Sequence, residues 1–165
     1  MAPGKRYPVG GGYPPAVSTL YNPADTAAIV QRIRRLGPGS KPQWGKMSAA
    51  QMLAHCQAPL RVATGELKLK RNLIGILFGK MAKKRMAGPA PLKRSLPTAP
   101  EFLVRDEPDF TAEQRKLVEL VQRFAQRGPE GLPKEPHPFF GPMTTQEWEI
   151  LQWKHLDHHL RQFGA

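Results

Sequence analysis

The segment from Thr144 to Phe163 constrains the fold of this chain more than any other part of the sequence. It opens with a capping box, Thr144 followed three residues later by Glu147, which predicts the first turn of an α-helix. Its large apolar residues recur at helical spacing, and His155 and His159, one turn apart, fall in the middle of the same face. Such a helix must bury this face against other elements, and it carries two imidazoles inward with it.

Two imidazoles at this spacing can bind one metal ion if another helix provides a third ligand. The candidate is His55, on the apolar face of a predicted helix that begins with the capping box Ser48–Gln51. The alternative is that each histidine is a hydrogen-bonded core residue, and the spacing alone leaves these two interpretations evenly balanced.

Four further side chains are candidates for supporting the ligands or contacting a substrate, namely Gln51, Gln152, His137 and His158. The glutamines lie on the site-facing sides of their helices, where they can orient water or substrate or bridge core groups. His137 lies in a proline-rich loop and is either structural or a fourth ligand that folds back onto the site. His158 leaves its helix in a different direction from the ligands, as a flanking or ligand-supporting residue. No obvious general base accompanies them, so no catalytic residue is assigned.

Eighteen prolines interrupt the chain and, with the capping residues, outline the helices. Four principal helices are predicted over residues 23–36, 48–65, 111–127 and 144–163, with a less regular helix near 71–86. No segment shows the alternation of a β-strand. The predicted fold is therefore all-α, a four-helix bundle with an insertion, about residues 67–108, between the second and third core helices.

Composition indicates one globular domain. The chain has 165 residues, of which 40% are hydrophobic and 23% charged, which is typical of a folded protein with its own core. Residues 1–18 are predicted to be a flexible, partly ordered lead-in without the apolar run of a secretory signal, and the predicted domain covers residues 19–165. No stretch is long and apolar enough for a membrane-spanning helix. The single cysteine, Cys56, is interpreted as a small core residue and favours a reducing, cytoplasmic location.

The charge distribution is uneven. The formal net charge is +12, and the stretch Leu67–Pro100 holds nine lysines and arginines without an acidic residue. A solvated basic face is the favoured interpretation. The second is that Lys83, Lys84 and Arg85 steer an anionic substrate towards the metal. A membrane surface follows, and nucleic acid is the least favoured partner, while the neighbouring apolar residues would most simply pack on the bundle or across a homodimer.

Three segments, Trp44–Cys56, Leu96–Phe102 and His137–Trp148, resemble the DinB/YfiT superfamily of metal-binding four-helix bundles. The closing segment KHLDHHLRQFG, residues 154–164, resembles a branch of uncharacterised bacterial proteins in it. The resemblance covers about residues 19–164. It implies one histidine on the second bundle helix and a pair on the fourth, which are His55, His155 and His159 here. It also implies a divalent ion, zinc or nickel, with open positions for water.

The resemblance implies two classes of function. Characterised members include thiol-dependent S-transferases and a mycothiol-dependent isomerase, and others are described as metal-dependent hydrolases or damage-induced proteins. The first expectation is an enzyme whose metal activates water or a thiol for hydrolysis or S-transfer, acting on a small molecule with a low-molecular-weight thiol as cosubstrate. The alternative is a non-catalytic, metal-binding stress or interaction protein.

Overall fold

The computed structural model describes residues 18–70, 73–88, 90–94 and 98–165. The predicted lead-in over residues 1–18 therefore lies almost entirely outside the described residues. Five α-helices occur in the described residues: α1 (Pro23–Arg35), α2 (Ala49–Ala63), α3 (Leu73–Ala87), α4 (Phe110–Arg127) and α5 (Thr145–Gln162). Two 3₁₀ turns follow α3 and α4, at Pro100–Phe102 and Pro129–Gly131. No β-strand occurs in the described part of the chain, which confirms the all-α prediction.

The helices begin where the capping residues predict. The Ser48 and Thr144 side chains each accept a hydrogen bond from the backbone N–H three residues on, and Gln51 and Glu147 complete the reciprocal half of each capping box. After α5, Gly164 adopts a left-handed φ of +71°, a conformation that a residue with a Cβ rarely takes. Local side-chain chemistry therefore sets these helix ends.

Helices α1, α2, α4 and α5 surround one hydrophobic core, and α2 and α4 share the most extensive contact. The completely buried side chains come from all four helices and include Ile29, Ile33, Met52, Leu53, Leu117, Phe124, Leu156 and Leu160. Cys56 is buried among them, and this burial raises the pKa of its thiol well above the ordinary range. The sulfur is therefore an inert core group, as expected from the sequence.

The insertion between α2 and α4 packs against the bundle core through Leu67, Leu69 and Phe102. Its helix α3 packs on the outside of α5, where Met86 meets Ile150 and Leu151 in a second, smaller apolar cluster. The Lys154 ammonium group of α5 holds the end of α3, because it donates to the carbonyl oxygens of Met86 (2.9 Å), Gly88 and Ala90 (2.8 Å). Burial lowers the pKa of this lysine, and the carbonyl oxygens replace its lost water.

No helix in the described part of the chain is both long enough and apolar enough to cross a membrane.

Candidate metal centre

Three histidines from two helices converge inside the bundle. Helix α2 carries His55, and α5 carries His155 and His159 one turn apart. One nitrogen from each side chain lies within 4.8 Å of the other two. The three ring centroids are 4.6–5.1 Å apart. The predicted convergence of these residues is therefore present, and the group could hold a metal ion.

The spacing of the nitrogens suits a single ion. The Nε2 atoms of His55 and His155 are 3.2 Å apart. Two nitrogens bound to one tetrahedral zinc at about 2.0–2.1 Å lie roughly 3.3 Å from each other. These two nitrogens are thus already close to the required separation, and the candidate nitrogen of His159 lies within 4.8 Å of both.

A backbone carbonyl orients His55. The oxygen of Phe102, in the 3₁₀ turn of the insertion, lies 3.0 Å from His55 Nδ1. A carbonyl oxygen can only accept a hydrogen bond, so Nδ1 must carry the proton. The lone pair then resides on Nε2, which faces the other histidines. This arrangement, in which a second group fixes the tautomer of a ligand, is common around protein-bound metals.

A longer chain of hydrogen bonds orients His159 in the same way. The Gln162 amide donates from Nε2 to the carbonyl oxygen of Trp44 (2.6 Å), so its Oε1 must face His159. His159 Nδ1 lies 2.8 Å from that oxygen and donates its proton to it. Nε2 of His159 is therefore the nitrogen with a free lone pair. Two of the three imidazoles are thus already in the tautomer that leaves Nε2 free to bind a metal.

The electrostatic environment keeps the cluster neutral. Burial lowers the pKa of His55, and it lowers that of His159 to about 3. The pKa of His155 is well below its ordinary value, first because of burial and then because of the other two imidazoles. At neutral pH all three rings are uncharged, which is the form that binds a cation.

The cluster remains reachable from solvent. His55 and His159 are buried, whereas His155 keeps part of its surface exposed. His155 is therefore the member of the cluster that solvent reaches.

Two of the other predicted residues have local structural partners. Gln51 completes its capping box and donates to the carbonyl oxygen of Asp106 (3.2 Å). His137 is buried against Trp148, and its Nδ1 accepts from the backbone N–H groups of Phe139 (3.0 Å) and Phe140 (3.1 Å). The structure does not bring His137 into the three-histidine group; it organises the loop before α5.

His158 and Gln152 differ in burial, since His158 lines a cavity and Gln152 is fully buried. His158 is half-buried beside His159 and Trp44, at the wall of a cavity of about 360 Å³ that Arg94 and Arg161 also line. Burial lowers the pKa of His158, and a hydrogen bond to the Leu92 backbone partly offsets this. Gln152 is 1% exposed, on the same face of α5 as the ligands and one turn before them. Its Nε2 has no hydrogen-bond partner among the described residues.

The three basic residues proposed to steer anions are not equivalent. Lys83 is 3.3 Å from a carboxylate oxygen of Glu147 and donates to the carbonyl oxygen of Pro142 (2.6 Å). Lys84 and Arg85 are exposed. The charge of Lys83 is therefore largely neutralised at the start of α5, and only the other two remain free for an anionic partner.

Sequence reasoning missed the groups that orient the ligands. Gln162 follows His159 by three residues, a spacing at which two side chains on a helix meet, so it could have been identified. The carbonyl oxygens of Trp44 and Phe102 give no such signal, because every residue has a backbone carbonyl. Their positions depend on the paths of the two loops.

Replacing Gln162 with leucine should lower metal affinity by about 10–100-fold, the usual effect of losing a group that orients a histidine ligand. Gln162→Glu still accepts from His159 Nδ1 but loses the donation to the Trp44 carbonyl oxygen, so it should retain more of the affinity than leucine does. Competition against a coloured chelator measures both constants, with Gln126→Leu, at an exposed position of α4, as the control. Equal affinities for the native and Gln162→Leu proteins would show that the hydrogen bond does not support the site.

Comparison with known proteins agrees with this fold. Residues 19–165 match the family described as "Protein of unknown function (DUF1569)". No curated protein and no solved structure matches the chain significantly. The family match covers the whole bundle, including all three histidines, but it identifies neither the bacterial branch nor a reaction. The chain therefore belongs to the DUF1569 family, whose members have a DinB-like fold and no established function.

Proposed function

We propose that this protein is a metal-dependent enzyme that binds one divalent ion through Nε2 of His55, His155 and His159. Its reaction is hydrolysis of, or thiol transfer to, a small molecule. The observation that carries the proposal is the convergence of three neutral imidazoles, two of them fixed by hydrogen bonds with Nε2 directed inward. A core without a ligand would gain nothing from holding three polar rings in this way.

The donor set suits zinc or nickel. Three imidazole nitrogens favour borderline divalent ions of the first transition row over calcium or magnesium, which prefer oxygen. A tetrahedral ion with three protein ligands keeps one position for an exchangeable molecule. An ion held there supplies Lewis acidity, which lowers the pKa of a bound water or thiol towards neutral pH.

Gln152 is the side chain that supports substrate binding most directly. A buried amide without a partner costs about 1–3 kcal/mol, so such groups are rare unless a bound molecule completes them. Its N–H donors lie on the face of α5 that carries the ligands. We assign Gln152 the role of orienting a polar group of the substrate, or the attacking water or thiol, beside the histidines.

The proposal is tested by removing metal from the purified protein with a chelator, restoring zinc or nickel, and measuring bound metal and turnover together. Candidate substrates are activated esters and amides, and electrophiles paired with low-molecular-weight thiols. We expect about one equivalent of metal per chain and turnover only in the loaded protein. A chain that binds no stoichiometric metal after this treatment would contradict the proposal.

Replacing Gln152 with methionine separates the proposed role from a structural one. Removing the unsatisfied Nε2 donor should leave the free energy of unfolding unchanged or raise it by about 1 kcal/mol, while metal-dependent turnover falls. Gln57→Met is the matched control, because that buried amide is already satisfied by Glu113 (2.6 Å) and its loss should destabilise. Equal destabilisation by both changes would make Gln152 a core residue instead.

One observation favours the non-catalytic alternative. Among the described residues, no carboxylate or thiol joins the three histidines, and Asp157 on the same helix pairs with Arg32 and Arg161 instead. A site without a general base is suited to holding metal for stability. Stoichiometric metal without turnover across the substrate panel would support this function. Homodimer formation, an anionic substrate and a cytoplasmic location remain predictions from the sequence.

A further inference from the structure

Helix α3 exposes a face that no described part of the chain covers. Leu77 is 73% exposed, Phe78 51% and Met81 61%. These positions fall within one third of the helix circumference, so the three side chains form a single apolar ridge. Isolated exposed apolar residues are common on soluble proteins, but a contiguous group on one helix marks an interaction surface.

Basic residues border this ridge along one flank and at its C-terminal end. Lys80 and Lys84 lie along the flank beside Leu77, and Arg85 follows Met81 by one turn on the ridge face itself; all three are exposed. The whole stretch Leu67–Pro100 contains no aspartate or glutamate. The surface is thus apolar at its centre and cationic at its margins. We refer to these six residues, 77, 78, 80, 81, 84 and 85, as the α3 ridge.

The opposite face of α3 is already occupied. Gly79 is buried, and a Cβ there would overlap the carbonyl oxygen of Phe139. Met86 packs against α5, and Lys154 holds the carbonyl oxygens at the helix end. The helix therefore cannot rotate to bury the ridge without losing these contacts, and the ridge is left for a partner.

Charge and shape indicate what that partner is. A second copy related by a twofold axis would bring the same cations against each other, which is unfavourable. Nucleic acid would contact phosphates, and an apolar centre without stacking aromatic rings does not suit it. A convex ridge with lysine and arginine at its margins suits a bilayer, where apolar tips enter the interface and cations meet anionic headgroups. We propose that the α3 ridge docks this protein on an anionic membrane surface.

Vesicle cosedimentation tests the proposal with the full-length protein. We expect binding to phosphatidylcholine vesicles that contain about one-third phosphatidylserine, and little binding to phosphatidylcholine alone. Replacing Lys80, Lys84 and Arg85 with glutamine should lower the partition coefficient on the order of 100-fold, since each surface cation contributes about fivefold. Replacing Leu77, Phe78 and Met81 with serine should lower it about tenfold or more.

A matched charge variant distinguishes a local surface from adsorption of a protein with net charge +12. Arg34, Arg35 and Arg115 are exposed on α1 and α4, and replacing them with glutamine removes the same charge elsewhere. Because exposed charges are screened beyond about 10 Å at 0.1 M salt, this variant should bind almost normally. An equal loss in this control, unchanged binding by the serine variant, or no binding to anionic vesicles would each overturn the proposal. In the last case an acidic protein groove becomes the partner to seek.

Discussion

Replacing His55 with alanine is expected to remove the bound metal and to lower the Tm of the metal-loaded protein by about 10 °C. Metal at about 1,000 times its Kd adds roughly 4 kcal/mol to the stability of the folded state. For a domain of this size, each kcal/mol corresponds to about 2–4 °C in Tm. The effect is large because His55 is the one member of the three-histidine group on α2, so its loss also removes the proposed metal link between α2 and α5. Metal analysis and thermal melts check the two parts separately.

Repeating the thermal melts without metal provides the control for this prediction. In the presence of a strong chelator, the Tm difference between the native protein and His55→Ala should shrink to the cost of the lost packing and of the lost hydrogen bond to Phe102. His158→Ala should retain metal and most of the Tm, since His158 is not in the three-histidine group. A Tm loss for His55→Ala that persists undiminished in chelator would identify His55 as a packing residue.

The native protein is expected to lose about 3 kcal/mol of unfolding free energy through His137 as the pH falls from 6.5 to 4. Replacing His137 with asparagine should abolish this part of the loss. Burial lowers the pKa of His137 from 6.5 to about 4. Its Nδ1 accepts hydrogen bonds from two backbone N–H groups, and protonation of Nδ1 would break both. Below pH 6.5 the unfolded chain therefore binds a proton at His137, whereas the folded chain does not bind it until the pH falls to about 4. Stability from this group is complete above pH 6.5 and is lost as the pH falls to about 4, at about 1.4 kcal/mol per unit.

Denaturant unfolding at several pH values between 7 and 4 measures this change. Asparagine keeps a side-chain acceptor but does not titrate, so the stability advantage of the native protein over His137→Asn should shrink as the pH falls. Both proteins carry the same three-histidine group, so its own titration cancels in the difference. Parallel stability curves across this range would contradict the assignment of His137 as a buried neutral acceptor.

Much of the secondary structure follows from neighbouring residues alone. The capping boxes at Ser48 and Thr144 are contacts within one helical turn, and the structure confirms both of them. The helical periodicity likewise places His155 and His159 together. The predicted start of α4, at residue 111, was one residue too late. The Asp109 side chain caps the helix, so Phe110 is its first residue.

The pairing of α2 with α5 depends on contacts between residues that are far apart in the sequence. Periodicity places His55 on an apolar face, but it does not determine which helix that face meets. The resemblance to DinB-like proteins implied the pairing, and the structure brings the three imidazoles within reach of one ion. The helices and their buried faces were thus predictable from the residues, whereas their alignment along the bundle needed either the resemblance or the structure.

The sequence by itself determined the helices, their ends and the faces that carry the histidines, because these depend on contacts three or four residues apart. Only the tertiary structure decided which groups hold the ligands and the insertion in place. Phe102 and Trp44 orient histidines through backbone oxygens, and Lys154 is buried because three carbonyl oxygens from residues 86–90 surround it. Since every residue has a carbonyl group, no side chain marks these contacts in advance; they arise where distant segments meet.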